Sequence, residues 1–288
     1  MFTIGISIGI RIGNNPPIPK VKFDLLENGL DFITEAVVAI NTTANNKKLK
    51  YSIIHLCSGI ELIFKEILRN KDWKLLFQEP NEAKLEQLQS GDFESVKFNK
   101  LIARLECECK VKFQDDDKKL LDELRIKRNK IEHFKMDEKV SAIKSICSKT
   151  LNLLIPFIDQ NIDISKVSPA EKKYIHNLPK ELAKFNSFVS IRNQLIQSRV
   201  DKKIADGITL LRCPNCLQKT LFNDTHLKCL FCNYTDTPVN LTAEINRTFN
   251  DNNSFATKTC IKCSSPTLVK SDDKIVCLTC KDLTTDIN

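Results

Sequence analysis

The sequence has no run of about 20 consecutive apolar residues, the length that a transmembrane helix needs. Its first residues also lack the basic segment and the small-residue cleavage site of a secretory signal peptide. We therefore expect a cytoplasmic protein with no membrane partner. Residues 2–13 alternate isoleucine with small residues, which predicts a short N-terminal strand or a flexible arm over residues 1–20.

Strand-like alternation is almost absent from residues 21–165, where apolar residues recur with the 3.6-residue period of helices. The pattern predicts five helices, at about residues 23–40, 51–73, 93–105, 115–136 and 138–159. The polar residues 78–92 are expected to form a loop or a surface segment. Because short loops join the helices, the predicted fold is mainly α, an antiparallel helical bundle.

Residues 166–206 are more polar than the bundle but keep a helical pattern, which predicts a helical connector or arm that ends at Gly207. This segment contains Arg192 and Asn193. We expect them to lie on a solvated basic face, and the alternative is that they belong to an RNA-binding surface.

Twelve cysteines are many for 288 residues, and their distribution is uneven. Eight of them form four Cys-x-x-Cys pairs after residue 210: Cys213 and Cys216, Cys229 and Cys232, Cys260 and Cys263, Cys277 and Cys280. Two such pairs supply the four thiolates of a tetrahedral metal site, so the clustering favours metal binding over disulfides. Four thiolates leave no open position on the metal, so the predicted role is structural.

Strand-like residues 219–222 and 267–270 separate the two pairs of each site, a layout typical of a zinc ribbon. We predict one ribbon over residues 207–240 and a second over 255–285, each with one structural Zn²⁺. The shared layout indicates an internal duplication, and residues 241–259 between the ribbons are expected to be a mobile linker. His226 is expected to be exposed and not to bind the metal.

The formal net charge of +8 favours a polyanionic partner only weakly. Each zinc site with four thiolates carries a charge of −2, which lowers the balance to +4. Any argument for a nucleic-acid partner must therefore rest on local basic patches. A mixture of basic and aromatic residues in the ribbons suits contact with RNA or DNA, and contact with a protein is the alternative. These residues are Arg212, Lys219, Lys228, Lys258, Lys262, Lys270, Lys274, Lys281, Phe222, Phe231 and Tyr234.

The fourth predicted helix carries an arginine where apolar residues are expected. On a helical wheel, Arg128 falls within the arc of Leu120, Leu124, Ile131 and Phe134. An unpaired buried charge is unfavourable, so Arg128 must have a carboxylate partner or lie in a cleft or a subunit interface.

Asn129 and His133 share a different face of this helix, and His133 lies about 140° around the helix from Arg128. One straight helix does not aim both side chains at one point. A two-fold homodimer would bring two copies of the motif together.

The sequence Arg128, Asn129, x3, His133 on a late helix of a short bundle resembles the HEPN superfamily, whose signature is Arg-x(4 to 6)-His with a polar residue after the arginine. The flanking residues 124–127 and the second-helix residues 55–62 also look like those of HEPN proteins. The resemblance covers residues 21–165.

This resemblance implies a metal-independent endoribonuclease of toxin or antiviral-defence type. The ribose 2′-OH attacks the adjacent phosphate and leaves a 2′,3′-cyclic phosphate and a 5′-OH. His133 would be the general acid/base, Arg128 would bind the scissile phosphate, and Asn129 would orient the site or the RNA. Glu61, on the second helix, is expected to hold Arg128 in place. The alternative is a non-catalytic module that binds nucleic acid or protein through the ribbons.

Overall fold

The computed structural model describes residues 21–42, 46–224, 226–249, 259–271 and 274–284. In these ranges the chain forms nine α-helices and two small three-stranded antiparallel sheets. The prediction of a mainly helical chain with small β units is confirmed. None of the helices in these ranges has the length and apolar content needed to cross a membrane. The predicted N-terminal arm lies outside the described residues.

The five predicted helices of residues 21–165 are present, and one further short helix lies among them. Their bounds are α1 Leu25–Asn41, α2 Asn46–Lys71, α3 Leu85–Ser90, α4 Phe98–Glu108, α5 Asp115–His133 and α6 Val140–Asn161. The segment 78–92, predicted as a loop or surface segment, contains a 3-10 turn and the exposed α3. The third predicted helix begins at Phe98 and not at residue 93, because Phe77 and Ser95 pair in an isolated β-bridge.

Helices α1 and α2 form a close antiparallel pair through two glycines. Gly29 of α1 faces Gly59 of α2, and a Cβ built on Gly59 would lie 2.7 Å from the carbonyl oxygen of Gly29. The absence of both side chains lets the helix backbones approach. Around this contact the apolar stripes Leu30, Ile33, Ile60 and Ile63 are fully buried.

The segment predicted as a connector or arm packs onto the bundle as two helices, α7 Pro169–Leu182 and α8 Asn186–Ala205. Helix α7 lies on α1, where the Tyr174 hydroxyl donates to Asp31 Oδ1 at 2.8 Å, and α8 lies on α6. Phe188 of α8 is buried in the common core. Helices α1 to α8 therefore share one core, and we call them the helical body.

The two predicted ribbons are the two sheets. The first consists of β1 Leu210–Leu211, β2 Leu221–Asn223 and β3 Leu227–Cys229, and the second of β4 Leu268–Ser271, β5 Lys274–Cys277 and β6 Leu283–Thr284. In the first ribbon Leu221 pairs with Cys229, and in the second Leu268 pairs with Cys277. The equivalent register supports the predicted duplication.

The prediction of a mobile linker between the ribbons is wrong over its first half. Residues Pro238–Phe249 form helix α9, because Leu241 and Ile245 repeat at helical spacing and are buried. Helix α9 packs beside β4, and the Arg212 guanidinium lies 4.6 Å from the ring centroid of Phe249. The Asn223 side chain donates to the Cys277 carbonyl at 3.2 Å, so the first ribbon contacts the second.

Gly59→Ala is expected to destabilise the chain, although the same change at an open helical position stabilises by about 1 kcal/mol. The new Cβ would lie 2.7 Å from Gly29 O and from Ile33 Cδ1, which forces α1 and α2 apart and costs about 1–3 kcal/mol. Urea unfolding measures the difference. Gly29→Ala is the milder control, since its Cβ would meet its nearest atoms at 3.0 to 3.2 Å. Unchanged or increased stability of Gly59→Ala would contradict the close contact.

Candidate metal centres and candidate active site

The eight paired cysteines form two clusters, and each cluster can hold one metal ion. In each one the four Sγ atoms lie within 4.8 Å of one another. The distances from Cys213 to Cys232 and from Cys216 to Cys229 are 3.7 Å, and two in the second cluster are 3.6 Å. Metal–sulfur bonds of about 2.3 Å in a tetrahedron give sulfur–sulfur edges of about 3.8 Å. The side chains therefore fit tetrahedral four-thiolate coordination. His226 is exposed and lies outside both clusters.

All four Cys-x-x-Cys turns have one backbone conformation. The residue after each second cysteine is left-handed, with φ between 57° and 64°: Leu217, Asn233, Ser264 and Lys281. Its N–H donates to the carbonyl of the first cysteine of the pair, at 2.7 to 2.9 Å. None of the four is glycine, so the turn holds each in a conformation that disfavours side chains by about 1–2 kcal/mol.

A threonine hydroxyl lies beside one sulfur of each cluster. Thr220 Oγ1 is 3.2 Å from Cys229 Sγ, and Thr267 Oγ1 is 3.4 Å from Cys277 Sγ. A hydroxyl that donates to a metal-bound thiolate disperses its charge. This hydroxyl contact is thus repeated in both clusters together with the four cysteines.

Arg192 joins the helical body to the first cluster, and the prediction of a solvated basic face is wrong for it. Arg192 is only 4% exposed. Its guanidinium donates to the carbonyl oxygens of Phe231 at 2.9 Å and of Leu230 at 3.2 Å, the two residues between Cys229 and Cys232. Burial lowers the pKa of Arg192 and the nearby Arg199 lowers it further, whereas Cys229 and Cys232 oppose this shift. A four-thiolate metal site of charge −2 would favour the buried cation.

The aromatic side chains of the first ribbon are mostly unavailable to a ligand. Phe222 and Phe231, expected on the ribbon surface, are 2% and 1% exposed. Phe231 packs edge-on against Phe188 of the helical body. Tyr234, the third aromatic residue of this ribbon, is partly exposed.

The structure brings Arg128, Asn129 and Glu61 to one open groove and leaves His133 outside its lining. The groove runs between α4, α5 and the middle of α2, and its basic side chains are Lys97, Lys100, Arg125 and Arg128. Helix α5 is positioned by a capping box between Gln114 and Asp117 and by the buried Leu121 and Leu124. The sequence gives no reason to choose Lys97, Lys100 and Arg125 as site residues, because nothing in its pattern indicates that α4 lies beside α5.

Arg128 has the carboxylate partners that its position on the helix requires. Nη1 donates to Glu132 Oε2 at 2.7 Å, and Nη2 lies 4.0 Å from Glu61 Oε2. Glu61 itself is bound more closely by Lys65, at 2.7 Å. Glu132, four residues after Arg128, was missed as a partner although i,i+4 spacing on a helix places the two side chains together.

The protonation state of Arg128 is secured by its surroundings. Partial burial lowers the pKa of the guanidinium, but the hydrogen bond to Glu132 and the neighbouring Cys57 outweigh this effect and raise the pKa. Burial raises the pKa of the Cys57 thiol, which keeps it protonated beside the cation. Arg128 is therefore a fixed positive charge at the edge of the groove.

His133 is the last residue of α5 and is exposed. Phe134, expected on the apolar arc of the helix, is 81% exposed, because α5 ends before it and the backbone leaves helical geometry there. An exposed imidazole and an exposed phenyl ring thus lie next to each other at the end of α5.

Comparison of the chain with protein-family models, with curated proteins and with solved structures gives no match.

The chain is expected to bind two metal ions, and either Cys229→Ser or Cys277→Ser should leave one, measured by elemental analysis. The two variants should differ in stability. Cys229 belongs to the main core, whereas Cys277 belongs to a separate small cluster with Cys260, Leu268 and Ile275. We expect Cys229→Ser to lower the melting temperature of the helical signal more than Cys277→Ser. Equal shifts, or a metal content of two in either variant, would contradict this assignment.

Arg192→Ala is expected to reduce the free energy of unfolding by about 3 kcal/mol, because two buried carbonyls lose a charged donor. Arg199→Ala, an exposed arginine on the same helix, is the matched control and should change it by less than about 0.5 kcal/mol. Urea unfolding followed by circular dichroism compares the two. Similar losses for both variants would show that the buried contact does not contribute.

Proposed function

We propose that this chain is a metal-independent endoribonuclease of the HEPN type, and that two copies of α5 form its active site. The observation that carries the proposal is Arg128: a charged guanidinium held by Glu132 and near Glu61, beside Asn129, on an open groove. The Arg-Asn-x3-His pattern on this helix resembles the HEPN signature and supports the same assignment.

The groove can accept a phosphodiester backbone because its cations can exchange partners. Each of the four is paired with an acidic side chain, at 2.6 to 3.0 Å: Lys97 with Glu94, Lys100 with Glu79, Arg125 with Asp122 and Arg128 with Glu132. The pairs of Lys97 and Lys100 are well exposed and contribute only about 0–1 kcal/mol each, while Arg125 and Arg128 keep about a quarter of their side-chain surface open to a ligand. A phosphate can therefore replace a carboxylate at little cost, and a guanidinium offers it two parallel N–H bonds.

In the proposed reaction the ribose 2′-OH loses its proton and attacks the adjacent phosphorus. The bond from phosphorus to the 5′ oxygen breaks, which leaves a 2′,3′-cyclic phosphate and a 5′-OH. Arg128 neutralises the charge that grows on the non-bridging oxygens, while the His133 imidazole accepts the 2′-OH proton and the imidazolium so formed donates a proton to the leaving 5′ oxygen. Since His133 does not line the groove of its own chain, we infer that a second copy supplies it. The exposed Phe134 beside it supports a contact between copies.

We propose Zn²⁺ as the metal of both cysteine clusters, because zinc prefers tetrahedral thiolate coordination and has no redox chemistry of its own. Four thiolates leave it structural. The ribbons then serve to capture RNA or a protein partner. The burial of Phe222 and Phe231 removes two stacking surfaces from the RNA alternative.

Purified protein without added divalent cations should cleave single-stranded RNA and leave cyclic-phosphate ends. His133→Ala and Arg128→Ala should each reduce the rate by about 10²–10⁴-fold, the usual contribution of an acid/base group or of an electrostatic stabiliser. His226→Ala, another exposed histidine, is the matched control and should retain full activity. RNA binding without cleavage, unchanged by His133→Ala, would favour the non-catalytic binding module instead.

Mixing the two inactive variants tests the composite site. We assume that each site takes Arg128 from one copy and His133 from the other. Random exchange of subunits between the two variants then makes half of the dimers mixed, and each mixed dimer has one intact site of two. The mixture should therefore recover about a quarter of the wild-type rate. A site contained within one copy would give no restoration.

A further inference from the structure

A cavity of about 250 Å³ lies at the end of α5, and Phe134, the residue after His133, is part of its lining. The apolar side chains of the lining come from α2, from α5 and from the segment that joins α5 to α6: Ile53, Ile131, Phe134 and Met136. The volume lies below the range of about 300–1,000 Å³ of sites for drug-sized ligands, so it suits a single planar ring system.

Two lysines of the lining have no carboxylate partner among the described residues. Lys130 and Lys135 are both exposed, and the Lys135 ammonium group lies 5.8 Å from the centroid of the Phe134 ring. The third lysine of the lining, Lys127, is paired with Glu138 at 2.8 Å. The cavity thus combines two available ammonium groups with an exposed aromatic ring, a combination by which proteins bind single-stranded nucleic acid.

Asp137 is the carboxylate of the lining that is left without a cation. It is exposed, and within the described part of the chain its side chain takes part in no hydrogen bond or ion pair. An ionised carboxylate only accepts hydrogen bonds, and its two oxygens can accept two at once. A matching ligand therefore presents two adjacent donors to Asp137 and a negative charge to Lys130 and Lys135.

Guanine is the nucleobase whose donors match a carboxylate. Its Watson–Crick edge carries two adjacent donors, N1–H and the N2 amino group. Adenine and cytosine place an acceptor nitrogen beside their single amino group, and uracil places its one N–H between two carbonyls. The second carboxylate oxygen would face an acceptor on each of these three bases. The phosphates on either side of a guanosine supply the negative charge that the lysines require.

We propose that this cavity holds a guanine base of the RNA next to the cut, on the copy that supplies His133. The inference rests on the proposed nuclease function and names the base that the enzyme selects. Asp137 accepts hydrogen bonds from N1–H and from the N2 amino group, and the Phe134 ring stacks on the base. Lys130 and Lys135 bind the neighbouring phosphates. The phenyl ring has two faces, so a contact between copies on one face leaves the other to the base.

Strands that cannot be cleaved test the guanine site apart from the nuclease. A short oligodeoxyuridylate lacks the attacking 2′-OH, and its central residue is replaced in turn by deoxyguanosine, deoxyinosine, deoxyadenosine and deoxycytidine. We expect the full-length chain to bind the deoxyguanosine strand at least about tenfold more tightly than the deoxyadenosine and deoxycytidine strands, measured by fluorescence anisotropy at constant salt. Deoxyinosine lacks the N2 amino group and should fall between them. Equal affinities for all the strands would overturn the proposal.

Two substitutions locate the binding. Asp137→Asn should remove the preference for guanine, because the carboxamide replaces one acceptor with a donor that opposes the N–H groups of the base. Asp206→Asn, at an exposed aspartate at the end of α8, is the matched control and should keep the preference. Phe134→Ala should weaken the binding of every strand by about tenfold, because the stacking surface is lost. Dimers that dissociate in Phe134→Ala while the strand affinities stay unchanged would assign the cavity to the second copy and overturn the proposal.

The cleavage pattern separates this proposal from the proposed function. Sequencing of the RNA ends should place guanine at one fixed position next to the cut, and Asp137→Asn should cleave without that preference. Cleavage by the wild-type chain with no base preference would overturn the guanine site and leave the nuclease standing. Guanine-selective binding of the strands without any cleavage of RNA would support the guanine site and contradict the nuclease.

Discussion

The buried guanidinium of Arg192 is the contact on which the relation between the helical body and the first ribbon depends. A cation this deeply buried is favourable only if its donors are satisfied and a negative charge lies close by. The two carbonyls between Cys229 and Cys232 meet the first condition, and thiolates on a bound metal would meet the second. Metal binding and helix packing would then be coupled, because the metal site would stabilise the cation and the cation holds the turn that carries two of the ligands.

The helices and the two cysteine clusters could be predicted because both are encoded locally. Stripes such as Leu30, Ile33 and Val37 repeat with the helical period, and Cys-x-x-Cys places two thiolates on one turn. Helix α9 was missed because its apolar positions are few, with Leu241 and Ile245 followed by a polar segment. A short helix of this kind is stabilised by what it packs against, which the sequence does not display.

The candidate active site was only half predictable, for a different reason. The place of Arg128 on the apolar arc predicts a carboxylate partner. Glu132 is that partner at 2.7 Å, and the carboxylate of Glu61 lies further away, at 4.0 Å. Lys97 and Lys100 lie beside Arg128 because α4 and α5 both pack against α2. The burial of Arg192 was likewise hidden, since its acceptors lie 38 and 39 residues further along the chain. Contacts at such sequence separation carry no periodic signal.

The order of the elements along the chain has a consequence for biosynthesis. The whole helical body is synthesised before the turn that accepts the hydrogen bonds of Arg192. During that interval the guanidinium must stay hydrated, and α8 cannot complete its packing against α6 and the ribbon. With a metal as the core of the first ribbon, closure at α8 would wait for that metal, and a shortage of it would leave newly made chains open at α8 and exposed to proteases.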